Sequence, residues 1–229
     1  MRLWPETQAA VQAAQAAGAI LLRRLGRVRG IRLKGAKDPV TAADTAAERC
    51  IRTSLARAFP RIGFLGEEGT AAEGPGGRWI VDPLDGTIGY IAGLPFFAVS
   101  IALEREGRLE SGVLFLPRLG ELFVAEHGQG AWLNGRRIRV SRTRRLGDCV
   151  VSLWHDDSVW GNRRLRERIA RLALRVRNVR LFGAGFSLAC VAAGRALRLE
   201  SPTILASNGH IHRRLAGLLA GRAVGPGRS

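Results

Sequence analysis

Two stretches combine acidic oxygens with turn residues that can aim them at one point. In Trp79-Ile80-Val81-Asp82-Pro83-Leu84-Asp85-Gly86-Thr87, three apolar residues read as a buried strand that Asp82, Pro83 and Asp85-Gly86 bring to an end. Pro83 fixes the backbone between the two carboxylates. Asp82 and Asp85, three positions apart in a tight turn, can therefore face one spot, with the Leu84 carbonyl turned the same way. Oxygen-only ligation of this kind suits a hard divalent cation. Gly86 lets the main chain approach a ligand closely, and Thr87 offers a hydroxyl and an N–H where a helix can begin, a place suited to phosphate. Upstream, Phe64-Leu65-Gly66-Glu67-Glu68-Gly69 is a second apolar strand running into carboxylates. Either stretch alone is also the ordinary makeup of a turn, but two acidic strand ends are harder to explain that way.

These stretches need elements to hold them. A helix is predicted from Pro5-Glu6 to Leu25, with Val11, Ala14, Leu21, Leu22 and Leu25 on one face and Gly26 and Gly30 closing it. Thr41 can cap the next helix, with Asp44 at its third position, and Ala47, Ile51, Leu55 and Phe59 recur at fours as a core-facing stripe. Asp44 reads equally as a capping-box partner. Pro60 ends that helix, and Ala71 to Gly77 reads as a Gly-rich turn joining the two acidic strands. Strands at Phe97–Leu103, Gly112–Leu116 and Glu121–Glu126 follow, with hairpin turns at 105–107 and 117–120. Asn134-Gly135 is the sharpest two-residue turn signal in the chain. Together they predict an antiparallel meander.

The second half has another rhythm: strand Cys149–Trp154, Arg-rich helix Asn162–Leu174, strand Asn178–Phe182, then Gly183-Ala184-Gly185 opening a helix at Phe186–Arg195. A Gly-rich strand-to-helix turn at Ala184 suits an anion, and close packing explains it as well. His155-Asp156-Asp157 reads as a solvated loop.

Gly66-Glu67-Glu68, Trp79 to Thr87, Gly93-Leu94-Pro95 and Val99-Ser100-Ile101-Ala102-Leu103 resemble, in order and spacing, the inositol monophosphatase family of magnesium-dependent phosphatases. Asp38-Pro39-Val40-Thr41-Ala42-Ala43-Asp44 resembles that family's first motif, and Gly130 to Gly135 with Ile138, Val140 and Ser141 its mid-chain hairpin. The resemblance runs over residues 5 to 195. It implies an α/β fold of layered α-β-α-β-α sandwich type and hydrolysis of a small phosphate monoester, such as an inositol phosphate or histidinol phosphate, by metal-activated water. It further implies that Glu67, Asp82 and the Leu84 carbonyl bind one Mg2+, and that Asp82 and Asp85 share a second with another aspartate. Glu67 and Thr87 would position and activate the water, with Asp44 orienting Thr87. Asp85, Gly86, Thr87 and Ala184 would border the phosphate. Family members are often homodimers, and a homodimer is implied here.

The family pattern is broken after Val191-Ala192-Ala193-Gly194-Arg195. There it calls for another strand, an acidic turn beginning Trp-Asp and a Gly-Gly segment, yet no Trp-Asp dipeptide occurs anywhere in this sequence. The chain passes directly to Leu199–Asn208, which resembles the family's last strand, and His210–Leu219, its last helix. An internal block is absent by this reading, and with it the third metal-binding aspartate. A catalytically silent member keeping only the fold is the alternative.

The 229 residues fit one domain over 1–220, with a metal-site half at 1–145, a shortened α/β half at 146–220 and a disordered tail at 221–229. With 46% hydrophobic and 24% charged residues, the composition is that of an ordinary globular protein. No stretch is long and apolar enough to span a bilayer, so a cytoplasmic location and no membrane partner are expected. Cys50, Cys149 and Cys190 are odd in number and scattered, which indicates neither a disulfide framework nor a soft-metal site. The net charge of +17 invites a nucleic-acid reading. However, all basic residues but Lys34 and Lys37 are arginines spread over the whole chain, a skew that codon composition can produce. A small phosphorylated metabolite, not nucleic acid, is the expected partner.

Overall fold

The computed structural model describes residues 2–35, 38–153, 161–194, 198–200 and 205–207. Two compact units, Met1–Arg137 and Ile138–Ser229, divide the chain.

In the first unit, α1 (Pro5–Arg24) starts on a proline and ends in Arg23-Arg24, the charge placement its dipole favours. The face it buries is one of small residues, Ala10, Ala13, Ala14, Ala17 and Gly18, with Leu21. Of the predicted face, Ala14 and Leu21 are buried and Val11 and Leu25 pack against the core, whereas Leu22 is exposed; the closest approach to the sheet is made by small residues. A Cβ on Gly18 would stand 2.6 Å from the Phe115 ring and 2.9 Å from Pro117. Strands β1 (Arg32–Gly35) and β2 (Asp38–Val40) pair as a separate antiparallel hairpin. Helix α2 (Ala42–Ala58) follows, burying Ala47, Ile51 and Leu55 as the periodicity predicts.

The main sheet runs β10-β9-β8-β7-β6-β5-β3-β4. Its strands are β3 (Gly63–Gly66), β4 (Ala71–Ala72), β5 (Arg78–Asp85), β6 (Ala98–Arg105), β7 (Arg108–Leu116), β8 (Glu121–Glu126), β9 (Gly130–Leu133) and β10 (Arg136–Arg137), with the short helix α3 (Thr87–Ile91) between β5 and β6. From β5 to β10 it is the expected antiparallel meander. Two-residue turns join β6 to β7 and β9 to β10, with positive φ at Glu106-Gly107 and Asn134-Gly135. The segment predicted as a Gly-rich turn contains β4, which pairs antiparallel with β3 at the sheet edge. Helices α1 and α2 cover the sheet, and Ile51, Leu55, Trp79, Val81, Phe97, Ile101 and Leu103 are core residues there.

The second unit holds β11 (Val150–Leu153), α4 (Arg163–Ala173), β12 (Asn178–Leu181), α5 (Ala184–Ala192), β13 (Arg198–Glu200) and β14 (Leu205–Ser207). Its sheet runs β12-β11-β13-β14, and β11 is parallel to both neighbours. Among its described residues, Cys149, Val151 and Leu172 form a buried cluster, with Ile169, Val176 and Val179 against them. The Ser152 and Ser187 hydroxyls, both buried, meet at 2.7 Å. Two expectations are corrected here. The strand read as missing after the helix is present as β13, and the stretch read as one strand over 199–208 is two, β13 and β14, paired antiparallel. β13 is thereby paired on both sides, parallel to β11 and antiparallel to β14, which a single strand over 199–208 could not achieve. His155-Asp156-Asp157, the helix predicted at 210–219 and the tail lie outside the described residues. Among the described residues, no helix is long and apolar enough to cross a membrane.

Candidate active site

The site begins with strand register. Strands β3 and β5 are parallel, pairing Gly66 with Val81, so the next residues along, Glu67 just past β3 and Asp82 still within β5, stand side by side. The Glu67 N–H donates to the Val81 carbonyl at 3.0 Å and holds that register past the end of β3. Asp82 does not end β5, as the sequence suggested. The strand continues to Asp85 through an irregularity in which Asp82 faces Ser100 and Asp85 faces Ala98, one extra residue on the β5 side. Pro83, which has no N–H to give a ladder, sits inside this bulge, where its loss is harmless. The Leu84 N–H turns back to Asp82 Oδ1 at 3.0 Å. Gly86 then adopts φ 90°, ψ 34° ahead of α3. A Cβ there would lie 2.9 Å from the Phe96 carbonyl, so the close approach that requires glycine is to the chain's own backbone.

Helix α2 lies behind both strand ends. Thr41 and Asp44 form the capping box, with the Ala43 N–H on Thr41 Oγ1 at 3.1 Å and the Thr41 N–H on Asp44 Oδ2 at 2.9 Å. The other oxygen, Asp44 Oδ1, accepts from Thr87 Oγ1 at 3.2 Å. The two readings of Asp44, cap and orienting group, are therefore both realised by one buried carboxylate. Thr87 Oγ1 also lies 2.9 Å from the Leu84 carbonyl, so its single proton has two acceptors. One turn further along α2, the buried Glu48 accepts from the Glu68 N–H at 3.1 Å and from Thr70 Oγ1 at 2.5 Å.

The charges are crowded. Asp82 is pushed up to about 9 by burial first, then by its hydrogen bond with Glu67 and the charges of Glu67 and Asp85, with the Leu84 N–H opposing. Burial and the two neighbouring carboxylates thus favour the neutral form of Asp82, with Glu67 as its hydrogen-bond partner. Glu68 is raised by burial against the pull of Lys34. Lys34 Nζ lies 2.9 Å from Glu68 Oε1 and 3.4 Å from Glu67 Oε1. Among the described residues, no three Asp, Glu, His or Cys side chains form a group placed around a common ion. The structure has a pair, Glu67 and Asp82, with Asp85 close enough to act on Asp82 through its charge. A buried Asp82 crowded by Glu67 and Asp85 belongs to a donor set that a hard cation would relieve. Beneath α3, the buried Tyr90 hydroxyl donates to the Leu21 carbonyl at 2.7 Å and is pushed up to about 12, mainly by burial. At Gly89, a Cβ would meet nothing nearer than Leu94 at 3.8 Å, leaving room where a side chain could stand.

The structure thus gathers Asp44, Glu67, Asp82, Leu84, Asp85, Gly86 and Thr87 at one end of β3 and β5. Ala184 is in the other unit, the first residue of α5, whose cap residue Gly183 makes no side-chain cap bond. Sequence reasoning passed over Glu48 and Lys34. Glu48 had a signal: it stands four residues after Asp44, on the buried stripe of α2, where an acid needs a reason. Lys34, on an exposed hairpin strand, had none.

A pattern described as the inositol monophosphatase family matches residues 3–201. The chain belongs to that family. The inositol-1-monophosphatase of Rhizobium meliloti (strain 1021) is 44% identical over 191 residues, 81% of this chain and 72% of that one. The histidinol-phosphatase of Chlorobaculum parvum is 44% identical over 140 residues, 60% of this chain and 54% of that protein. Among solved structures, the extragenic suppressor protein suhB of Bartonella henselae superimposes with a TM-score of 0.89 at 36% identity, covering 94% of this chain and 98% of that chain. The inositol monophosphatase fold is thus this chain's fold, and membership places it among phosphoric monoester hydrolases of a metal-dependent family.

Proposed function

We propose that the protein is a Mg2+-dependent phosphatase acting on a small phosphate monoester by direct attack of water. The observation that carries this reading is the convergence of Glu67 and Asp82 at one end of a parallel strand pair, beside a threonine hydroxyl bonded to a buried carboxylate. Glu67, Asp82, Asp85 and the Leu84 carbonyl are the residues that would hold Mg2+. The ion, when bound, supplies charge to acidify a water and to neutralise the phosphate. Thr87, when it donates its proton to Asp44, turns a lone pair outward and can accept a hydrogen bond from the attacking water. Glu67, the hydrogen-bond partner of Asp82, would orient the same water. The first N–H groups of α3, at Gly86 and Thr87, have no partner within the helix and suit the phosphate oxygens as charge shifts in the transition state.

The substrate class is a small phosphorylated metabolite, inositol phosphate and histidinol phosphate being the first esters to try, since relatives bear those names. The absence of any Trp-Asp dipeptide favours a second reading, a weakened or silent member short of one carboxylate for a second ion. Phosphate release from a panel of monoesters at saturating Mg2+, with wild type beside Asp82→Asn, decides between them. Metal-dependent release that Asp82→Asn abolishes supports the phosphatase; release untouched by that change removes the mechanism, and none from wild type at any metal concentration leaves the silent member.

A further inference from the structure

We infer that Glu48 is a positioning residue for the metal-binding loop, and that α2 acts as a ruler setting the distance between the two acidic strand ends. The inference rests on the metal-dependent reading above. Asp44 and Glu48 are four residues apart on one face of α2, so their backbones are separated by about 6 Å along its axis. Asp44 reaches the loop after β5 through Thr87. Glu48 reaches the loop after β3 through the Glu68 N–H and the Thr70 hydroxyl.

Beyond these two bonds, that second loop is held by the Glu67 N–H on the Val81 carbonyl at its start and by the exposed Lys34 at its tip. Residues 67–69 bulge between Gly66 and Thr70, which close it with a backbone bond of 2.7 Å. Gly69 turns the chain at φ 84°. No proline restricts it, whereas Pro83 restricts the end of β5. Glu48 occupies the space that a side chain at Gly66 would need: a Cβ there would be 2.3 Å from Glu48 Oε2. A buried carboxylate filled by two donors from the loop and walled by a glycine has one orientation. Through Glu68 it fixes the residue next to Glu67, and so determines where the Glu67 carboxylate stands relative to Asp82.

Replacing this carboxylate should therefore loosen metal binding before it affects binding of the phosphate ester. The test uses the full chain and reads Mn2+ binding by calorimetry, exchange of the Glu68 amide proton by NMR, and the Mg2+ dependence of phosphate release. Glu48→Gln keeps shape and one acceptor but sets an NH2 against one of the two donors. It should weaken Mn2+ binding about tenfold and speed exchange at Glu68, while KM for the ester at saturating metal stays unchanged. Thr70→Val, which removes one donor without touching the helix, should move Mn2+ binding the same way by less, and Thr70→Ser should restore it. Should Glu48→Gln not fold, the Thr70 pair carries the test. Equal Mn2+ affinity in wild type and both loop variants overturns the inference and leaves the proposed function standing. Wild type that binds no Mn2+ overturns both.

Discussion

The loop after β3 and the end of β5 deliver carboxylates to the same place by different means. At the end of β5 and the turn that follows, the conformation is written locally: Pro83 in a bulge, the Leu84 N–H on Asp82, and Gly86 in a left-handed turn hard against the Phe96 carbonyl. After β3, the loop is held from outside, by Glu48 about twenty residues earlier and by Lys34 on the β1–β2 hairpin. A locally encoded turn keeps its shape whatever surrounds it. A loop held by distant charges keeps its shape only while the helix and hairpin that carry those charges are in place.

The largest effect expected is at Asp82, where the loops meet. Asp82→Asn should lower metal-dependent phosphate release at least a hundredfold, measured with purified protein at saturating Mg2+, because it removes the donor shared by both loops. The metal-free variant should melt no lower than wild type at pH 8, since the carboxyl it loses is one the fold disfavours as an anion. An equally large drop in Tm would mean that Asp82 is structural.

Gly86→Ala should cost at least about 2 kcal/mol of stability in urea unfolding, from left-handed backbone strain and the clash with Phe96. This is the direct test of local encoding: the cost should persist in a Lys34→Ala background, where the other loop has lost its ion pairs. Non-additivity between the two positions would mean that the two loops are energetically coupled, and the contrast between them would fail.

The pH dependence follows from the raised Asp82. Between the ordinary carboxylate range and about pH 9, the unfolded chain has lost this proton while the folded one retains it. The site's contribution to stability is therefore fully present at low pH and lost as pH rises toward 9. Metal-free protein should show that decline in Tm between pH 5 and 9, Asp82→Asn should flatten it, and added Mg2+ should stabilise more at pH 9 than at pH 6. A Mg2+ effect that shrinks as pH rises would contradict the assignment.

Smallest of the set, Thr41→Ala removes a cap worth about 1 kcal/mol, read by urea unfolding, and frees Asp44 from one partner. It should disturb Thr87, and hence kcat, more than metal affinity. An effect confined to metal affinity would place Asp44 with the other loop.

Much of this was legible from sequence. The meander, both two-residue turns and the α2 stripe follow from periodicity and from Asn-Gly and Glu-Gly dipeptides, which act over a few residues. On α1 the predicted face holds except at Leu22, which is exposed, and hydrophobicity did not single out Gly18, where the spacing to Phe115 and Pro117 leaves no room for a side chain. The continuation of β5 through Asp82 was missed because Pro and Asp usually end strands, and only a partner strand with a residue to spare allows them to stay. In the second unit, β13 and β14 are short, and their pairing depends on β11, some fifty residues away.

By itself the sequence determined which residues can do chemistry and which turns they sit in, because side-chain type and backbone preference are local properties. The tertiary structure alone decided that Glu67 stands next to Asp82, that one aspartate both caps α2 and orients Thr87, and that Glu48 holds the loop between. Strand register and helix placement bring together groups far apart in the chain, and no local preference encodes a distance between segments.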